Sequence, residues 1–205
     1  MRSGRITLTA VVALGFFGVE ADAVAACQQA EAALHQQLAT VAYKAGNLDK
    51  AADELRQSIR LCPSEPFYSF MLGNALYRAN NLLGAETAYR LVADQDPTFI
   101  EAQMSLGFTL FELEKPKEAL EHWLSSMRMQ TDSAFARAAL AVGLYANGDQ
   151  DNAVIQYDQA VRLDAQYADE KRVAIDIRWK PPVIGILNKL KELSRKQEQE
   201  NRHGS

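Results

Sequence analysis

Leu72-Gly73-Asn74-Ala75-Leu76-Tyr77 and, 34 positions on, Leu106-Gly107-Phe108-Thr109-Leu110-Phe111 are the stretches that decide the fold. In each, a leucine, a small residue and a second leucine fall at i, i+1 and i+4, and an aromatic ring follows. That spacing is one stripe of a helix. The same register extends outward from this pair. Leu38, Leu72, Leu106 and Leu140 stand 34 apart, and each is followed by a small residue: Ala39, Gly73, Gly107, Ala141. Ala51, Ala85, Ala119 and Ala153 form a second column, each four residues before a bulky Leu55, Tyr89, Trp123 or Tyr157. Pro63 and Pro97 keep the same interval. A period of this length marks an array of stacked units, each burying its apolar face against its neighbours.

The units read as helical on their own account. Asn47, Ser64 before Pro66, Asp132-Ser133 and Asp149 are start signals, and Thr98…Glu101 has the spacing of a capping box. Gly46-Asn47 and Gly148-Asp149 mark turns between paired helices. No stretch alternates as a strand does, so the fold is expected to be all-α. The columns resemble the tetratricopeptide repeat (TPR) family. That resemblance implies a right-handed superhelix of four helix-turn-helix repeats, 32–65, 66–99, 100–133 and 134–167, within an array spanning 24–167. The departures are local: His35 replaces a large apolar residue, and Thr131 and Ala165 stand where a closing proline is usual.

A solenoid needs its last apolar face covered. Residues 168–178 read as a short helix, and Trp179-Lys180-Pro181-Pro182 breaks the chain. Val183, Ile184, Ile186, Leu187, Leu190 and Leu193 then follow at helical spacing, so 168–193 is expected to cap the array. Residues 194–205 are expected to be a frayed polar tail. Residues 24–170 are net acidic and 171–205 net basic, so the tail could dock on the array, on a neighbour or on anionic lipid. A solvated basic helix face is the simpler reading.

The resemblance also implies a concave groove lined by the other face of each first helix. Its residues would be Gln36, Thr40 and Tyr43; Phe67, Phe70, Asn74 and Tyr77; Met104, Phe108 and Phe111; and Phe135, Val142 and Tyr145. The column Tyr43, Tyr77, Phe111, Tyr145 could equally pack between repeats. Phe67, Phe70, Phe108 and Phe135 are harder to explain that way, and a contiguous apolar surface usually marks a binding site. The expected ligand is an apolar or amphipathic peptide segment, gripped by aromatic side chains. The family's basic carboxylate clamp is not matched: Asn74 and Arg78 are present, but Met104 and Phe108 stand where polar contacts would help.

Composition narrows the remaining classes. The chain has 205 residues, is 48% hydrophobic and carries a formal net charge of −4. That balance argues against disorder and against a generally basic nucleic-acid binder. No phosphate loop, HExxH, CxxC or G-x-S-x-G elbow occurs, and the acidic run Glu112, Glu114, Glu118, Glu121 lacks the glycine turn of a calcium loop. The expectation is a non-enzymatic chain without a cofactor, metal or small-molecule substrate. Arg2 and Arg5, an apolar run from Ile6 to Val19, and Ala21-Asp22-Ala23 have the order of a signal peptide, 1–23, with Ala26 as a second cleavage point. Export to a periplasm would permit a Cys27–Cys62 disulfide stapling the first hairpin. Val24-Ala25-Ala26-Cys27 also resembles a loose lipobox, in which case Cys27 would carry lipid and tether the chain to a membrane. The function so indicated is a protein-binding adaptor, in envelope complex assembly. The alternative is a self-assembling scaffold whose C-terminal helix enters the groove of a second copy.

Overall fold

Side-chain caps open most of the helices, and left-handed turn residues close the first helix of each pair. A computed structural model describes residues 13–129, 132–174 and 179–203, with side chains from 28 onward. Eight helices form four hairpins: α1 Ala13–Lys44 with α2 Leu48–Leu61, α3 Pro66–Arg78 with α4 Leu82–Gln95, α5 Ile100–Glu112 with α6 Pro116–Met129, and α7 Ala134–Ala146 with α8 Gln150–Leu163. Asn47, Asn81, Ser133 and Asp149 accept the amides of Lys50, Gly84, Ala136 and Asn152, satisfying donors that the first turn leaves open. Pro66 begins α3, behind Glu65 as the cap. The expected capping box at Thr98 does not form. Asp96 captures both the amide and the hydroxyl of Thr98, at 2.9 and 2.6 Å, and Phe99 takes the cap position without a side-chain bond.

The turn inside each hairpin uses one left-handed residue. These are Gly46, Asn80, Glu114 and Gly148, at φ of 80, 61, 59 and 89°. Within each hairpin the small column allows close approach. Ala51, Ala85, Ala119 and Ala153 are all fully buried, and so, to within 3%, are Leu55, Tyr89, Trp123 and Tyr157. A Cβ placed on Gly107 would lie 2.3 Å from Trp123 Nε1, so the glycine is required by the indole packed against it.

Contacts run from each helix to the next, as in a solenoid. The chain then makes a 3-10 turn, Ala165–Ala168, a single helical turn α9, Glu170–Arg172, and a long α10, Pro181–His203. The expected helix over 168–178 is thus a 3-10 turn and a short α9, with 175–178 outside the described residues. α10 packs on α7 and α8 and buries Val183, Ile184, Leu187 and Leu190. The polar tail, expected to fray, is helical to His203, with exposed side chains beyond Ser194.

The main core runs from α3 to α10 and takes only Ala52 from the first hairpin, whose Ala39, Ala42, Ala51 and Leu55 form a separate small cluster with Ala75 of α3. Leu38 is 41% exposed, since no other described helix packs before α1, whereas its counterpart Leu106 is fully buried. Cys62, at the C-cap of α2, is a free thiol. The side chain of Cys27, its expected partner, lies outside the described residues, as do residues 1–12 of the expected leader.

Candidate functional site

The first helices of the hairpins place their aromatic side chains on one side of the stack, and two different environments result. Toward the N-terminal end, Phe67 is exposed and Phe70 leans on Phe99 and Tyr89, with ring centroids 5.0 and 5.9 Å away. Tyr43 lies under the Arg78 guanidinium, 4.8 Å from its ring, and Arg78 also donates to the Tyr43 carbonyl at 3.0 Å. Gln36 and Thr40 bond to each other at 3.0 Å. Asn74 accepts the Tyr89 hydroxyl at 2.6 Å. Tyr77 donates to Glu112, and its pKa is raised well above the ordinary phenol value, by burial first and by that carboxylate second. Burial likewise raises Tyr89, so both hydroxyls stay protonated.

Toward the C-terminal end the surface is occupied. Met104 and Val142 are 5 and 0% exposed and closed to a ligand, while Phe108, at 9%, keeps only a small surface, on the neighbouring hollow. The expectation of an open groove through these residues is corrected here. α7 is apolar around most of its circumference, and the segment before α10 covers the face that the hairpin leaves free. Trp179 is the covering residue. Its ring lies 5.1 Å from Phe108, 5.5 Å from Phe135 and 5.8 Å from Tyr167, all tilted. Phe108 also meets Trp123 and Phe135, and Phe111 leans on Trp123 at 5.9 Å. Lys180 pairs with Glu112 and stands 4.2 Å over the Tyr77 ring. Tyr145 has Lys189 5.9 Å above it.

Between these two regions a hollow of about 410 Å³ remains open. Tyr43, Asn74, Tyr77, Phe108 and Phe135, all expected from sequence, line it. So do Arg78, Asn80, Ser105, Trp179 and Lys180, which the aromatic columns did not point to. Arg78 and Asn80 sit at the end of α3 and in its turn, where a polar residue looks like ordinary surface. Trp179 had one available signal, a tryptophan placed beside two prolines at a chain break. The hollow thus has aromatic walls, a guanidinium at one side, and amide and hydroxyl groups between. Such a mixture orients a ligand with few polar contacts while the rings exclude water.

Comparison with known proteins agrees with this architecture. Residues 37–98 match the family model described as tetratricopeptide repeat. No curated protein matches the sequence. Among solved structures, a crystal structure of MamA protein superposes with a TM-score of 0.66 at 16% identity, covering 82% of this chain and 87% of that one. MamA 41-end from Desulfovibrio magneticus RS-1 gives 0.65 at 19% identity, covering 82% and 97%. The first TPR of Spaghetti (RPAP3) bound to an HSP90 peptide gives 0.56 at 19% identity, covering 58% and 94%. At these identities the likeness concerns the fold. Residues 37–98 thus carry the tetratricopeptide repeat signature, and the stacked hairpins give the chain the fold of such an array.

Proposed function

We propose that this protein is a non-catalytic adaptor that holds an extended peptide segment of a protein partner in the hollow between Tyr43 and Phe135. The observation that carries this reading is the hollow itself, about 410 Å³ with aromatic walls and Arg78 at its side. A cavity of that size takes a few side chains of a peptide rather than a folded surface. A structural neighbour, the first TPR of Spaghetti, holds the HSP90 peptide SRMEEVD, which supports a peptide as the type of ligand. Tyr77 and Tyr89 are held protonated by burial, so they act as donors and packing surfaces and not as bases. The reading includes export: residues 1–23 would be removed, and the adaptor would serve envelope complex assembly in the periplasm.

Screening the chain against a synthetic peptide panel tests the binding role. Ser105→Lys fills the hollow from a half-buried position without deleting a core side chain. The wild type is expected to retain a subset of peptides that Ser105→Lys loses at unchanged helix content. Equal retention by both chains would reject the hollow as the site.

The self-assembling alternative rests on one observation: a segment preceding α10 does seat on the concave aromatic residues, here within the same chain. Sedimentation of the chain across a wide concentration range separates the two, because a scaffold would grow with concentration and an adaptor would not.

A further inference from the structure

We propose that Trp179-Lys180 is a tethered stand-in for the partner, and that the partner is an extended segment with a large aromatic residue followed by lysine, which binds by displacing this pair. The inference rests on the peptide-binding reading above and names the chemistry of its ligand. Four observations support it. The first is the fit of the two side chains. Trp179 is 7% exposed in a box of Phe108, Phe135 and Tyr167 rings, and Lys180 meets the Glu112 carboxylate and the Tyr77 face. An aromatic box beside a buried acid is a recognition site for an aromatic–cation pair, through ring packing, cation–π attraction and a charge-assisted bond.

The second is that the fit is incomplete. The two tryptophans of the chain are both buried, but they differ in their indole N–H. Trp123 donates to the Met104 carbonyl at 3.3 Å, as a permanent core residue should. The Trp179 N–H is buried with no acceptor among the described residues. An unmet buried donor weakens the hold on Trp179 relative to that on an aromatic residue without one. The third is the anchoring of the cap. Trp179 and Lys180 are non-helical and precede Pro181, while α10 is held by Val183, Ile184, Leu187 and Leu190. The Lys180 carbonyl accepts the amides of Val183 and Ile184, so displacement moves the Trp179 and Lys180 side chains outward while that carbonyl keeps capping a docked α10. The fourth is continuity: Trp179 and Lys180 form a wall of the open hollow, so a peptide lying there abuts them.

A tethered competitor acts at a high effective concentration and lowers the apparent affinity of a free peptide by the fraction of time the site is open. The test uses the full chain labelled with fluorotryptophan, whose two indoles give two fluorine resonances. The probe is the unlabelled peptide acetyl-Trp-Lys-Pro-Pro-amide, with acetyl-Ala-Lys-Pro-Pro-amide as control. Titrating the first is expected to move the Trp179 resonance toward its solvent position and leave that of Trp123 in place. Calorimetry is expected to show the probe binding Trp179→Ala and Lys180→Ala at least about tenfold more tightly than wild type. Lys180 is partly exposed, so its variant keeps the test informative should Trp179→Ala fold poorly. A Trp179 resonance unmoved at millimolar probe, with neither variant binding better than wild type, would overturn the proposal. If panel peptides still bind a Ser105→Lys-sensitive hollow in that case, the adaptor reading survives alone. If nothing binds wild type or either variant, both readings fall.

Discussion

Glu114 occupies the left-handed turn position that Gly46 and Gly148 hold in other hairpins, at φ 59°. A side chain there is disfavoured by contact with the backbone, and glycine removes that strain at some cost in unfolded-chain entropy. Glu114→Gly is therefore expected to stabilise the chain by about 0.5–1 kcal/mol, read as a higher denaturation midpoint. The opposite holds at Gly107, where the Trp123 indole leaves no room for a Cβ. Alanine has the better helix propensity by up to ~1 kcal/mol, but overpacking costs about 1–3 kcal/mol, so Gly107→Ala should lower the midpoint in chemical denaturation. His122 sets a pH response. Its Nδ1 lies 2.6 Å from Gln103 Oε1, and burial first, then Arg90, holds its pKa below the ordinary imidazole value. The unfolded chain binds that proton more readily, so stability falls as pH drops through about 6.5 and levels off below the folded-state pKa. The thermal midpoint of His122→Gln should decline less than that of wild type between about pH 7 and pH 5. Glu86 also has a lowered pKa, its bonds to Arg90 and Lys115 outweighing burial, but its acid loss is common to both chains.

Each helical hairpin makes the same internal contacts, and its position in the stack decides the rest. The alanine and bulky columns were legible in the sequence because their partners lie in the same hairpin. The leucine column was less so: Leu38 and Leu106 have the same role in the repeat, yet one is 41% exposed and the other fully buried. A repeat period carries no information about ends. The first hairpin, with a cluster of four alanines and Leu55, is consequently expected to open most easily. Hydrogen exchange should show the amides of α2 less protected than those of α6, and equal protection would contradict this. The Thr98 box failed for a local reason: Asp96 takes the amide that Glu101 would have bonded and holds the Thr98 hydroxyl as a donor to itself. The C-terminal cap was legible from helical spacing at Val183, Ile184, Leu187 and Leu190, all buried.

Across the whole molecule, the aromatic side chains of the first helices divide between a part filled by Trp179 and a part bordering the open hollow. The family resemblance implied a shared face for Phe108, Phe111 and Phe135, but no repeat column includes Trp179, which meets Phe108 and Phe135 from outside the repeats. Val142, expected on the same face, is fully buried in α7, a helix that packs on α6, α8 and α10. The C-terminal region meets the array at two polar points, Lys180 to Glu112 and Ser194 to Asp158, while its basic side chains beyond Ser194 are exposed. What remains open is the hollow bounded by Tyr43, Asn74, Tyr77 and Ser105, and the adaptor reading stands on its use. NMR mapping of a panel-selected peptide on the intact chain probes that use most directly. The ring resonances of Tyr43 and Tyr77 are expected to shift on binding. Shifts confined to exposed sites elsewhere, such as Leu83, Leu91 or Ile155, would contradict the adaptor reading.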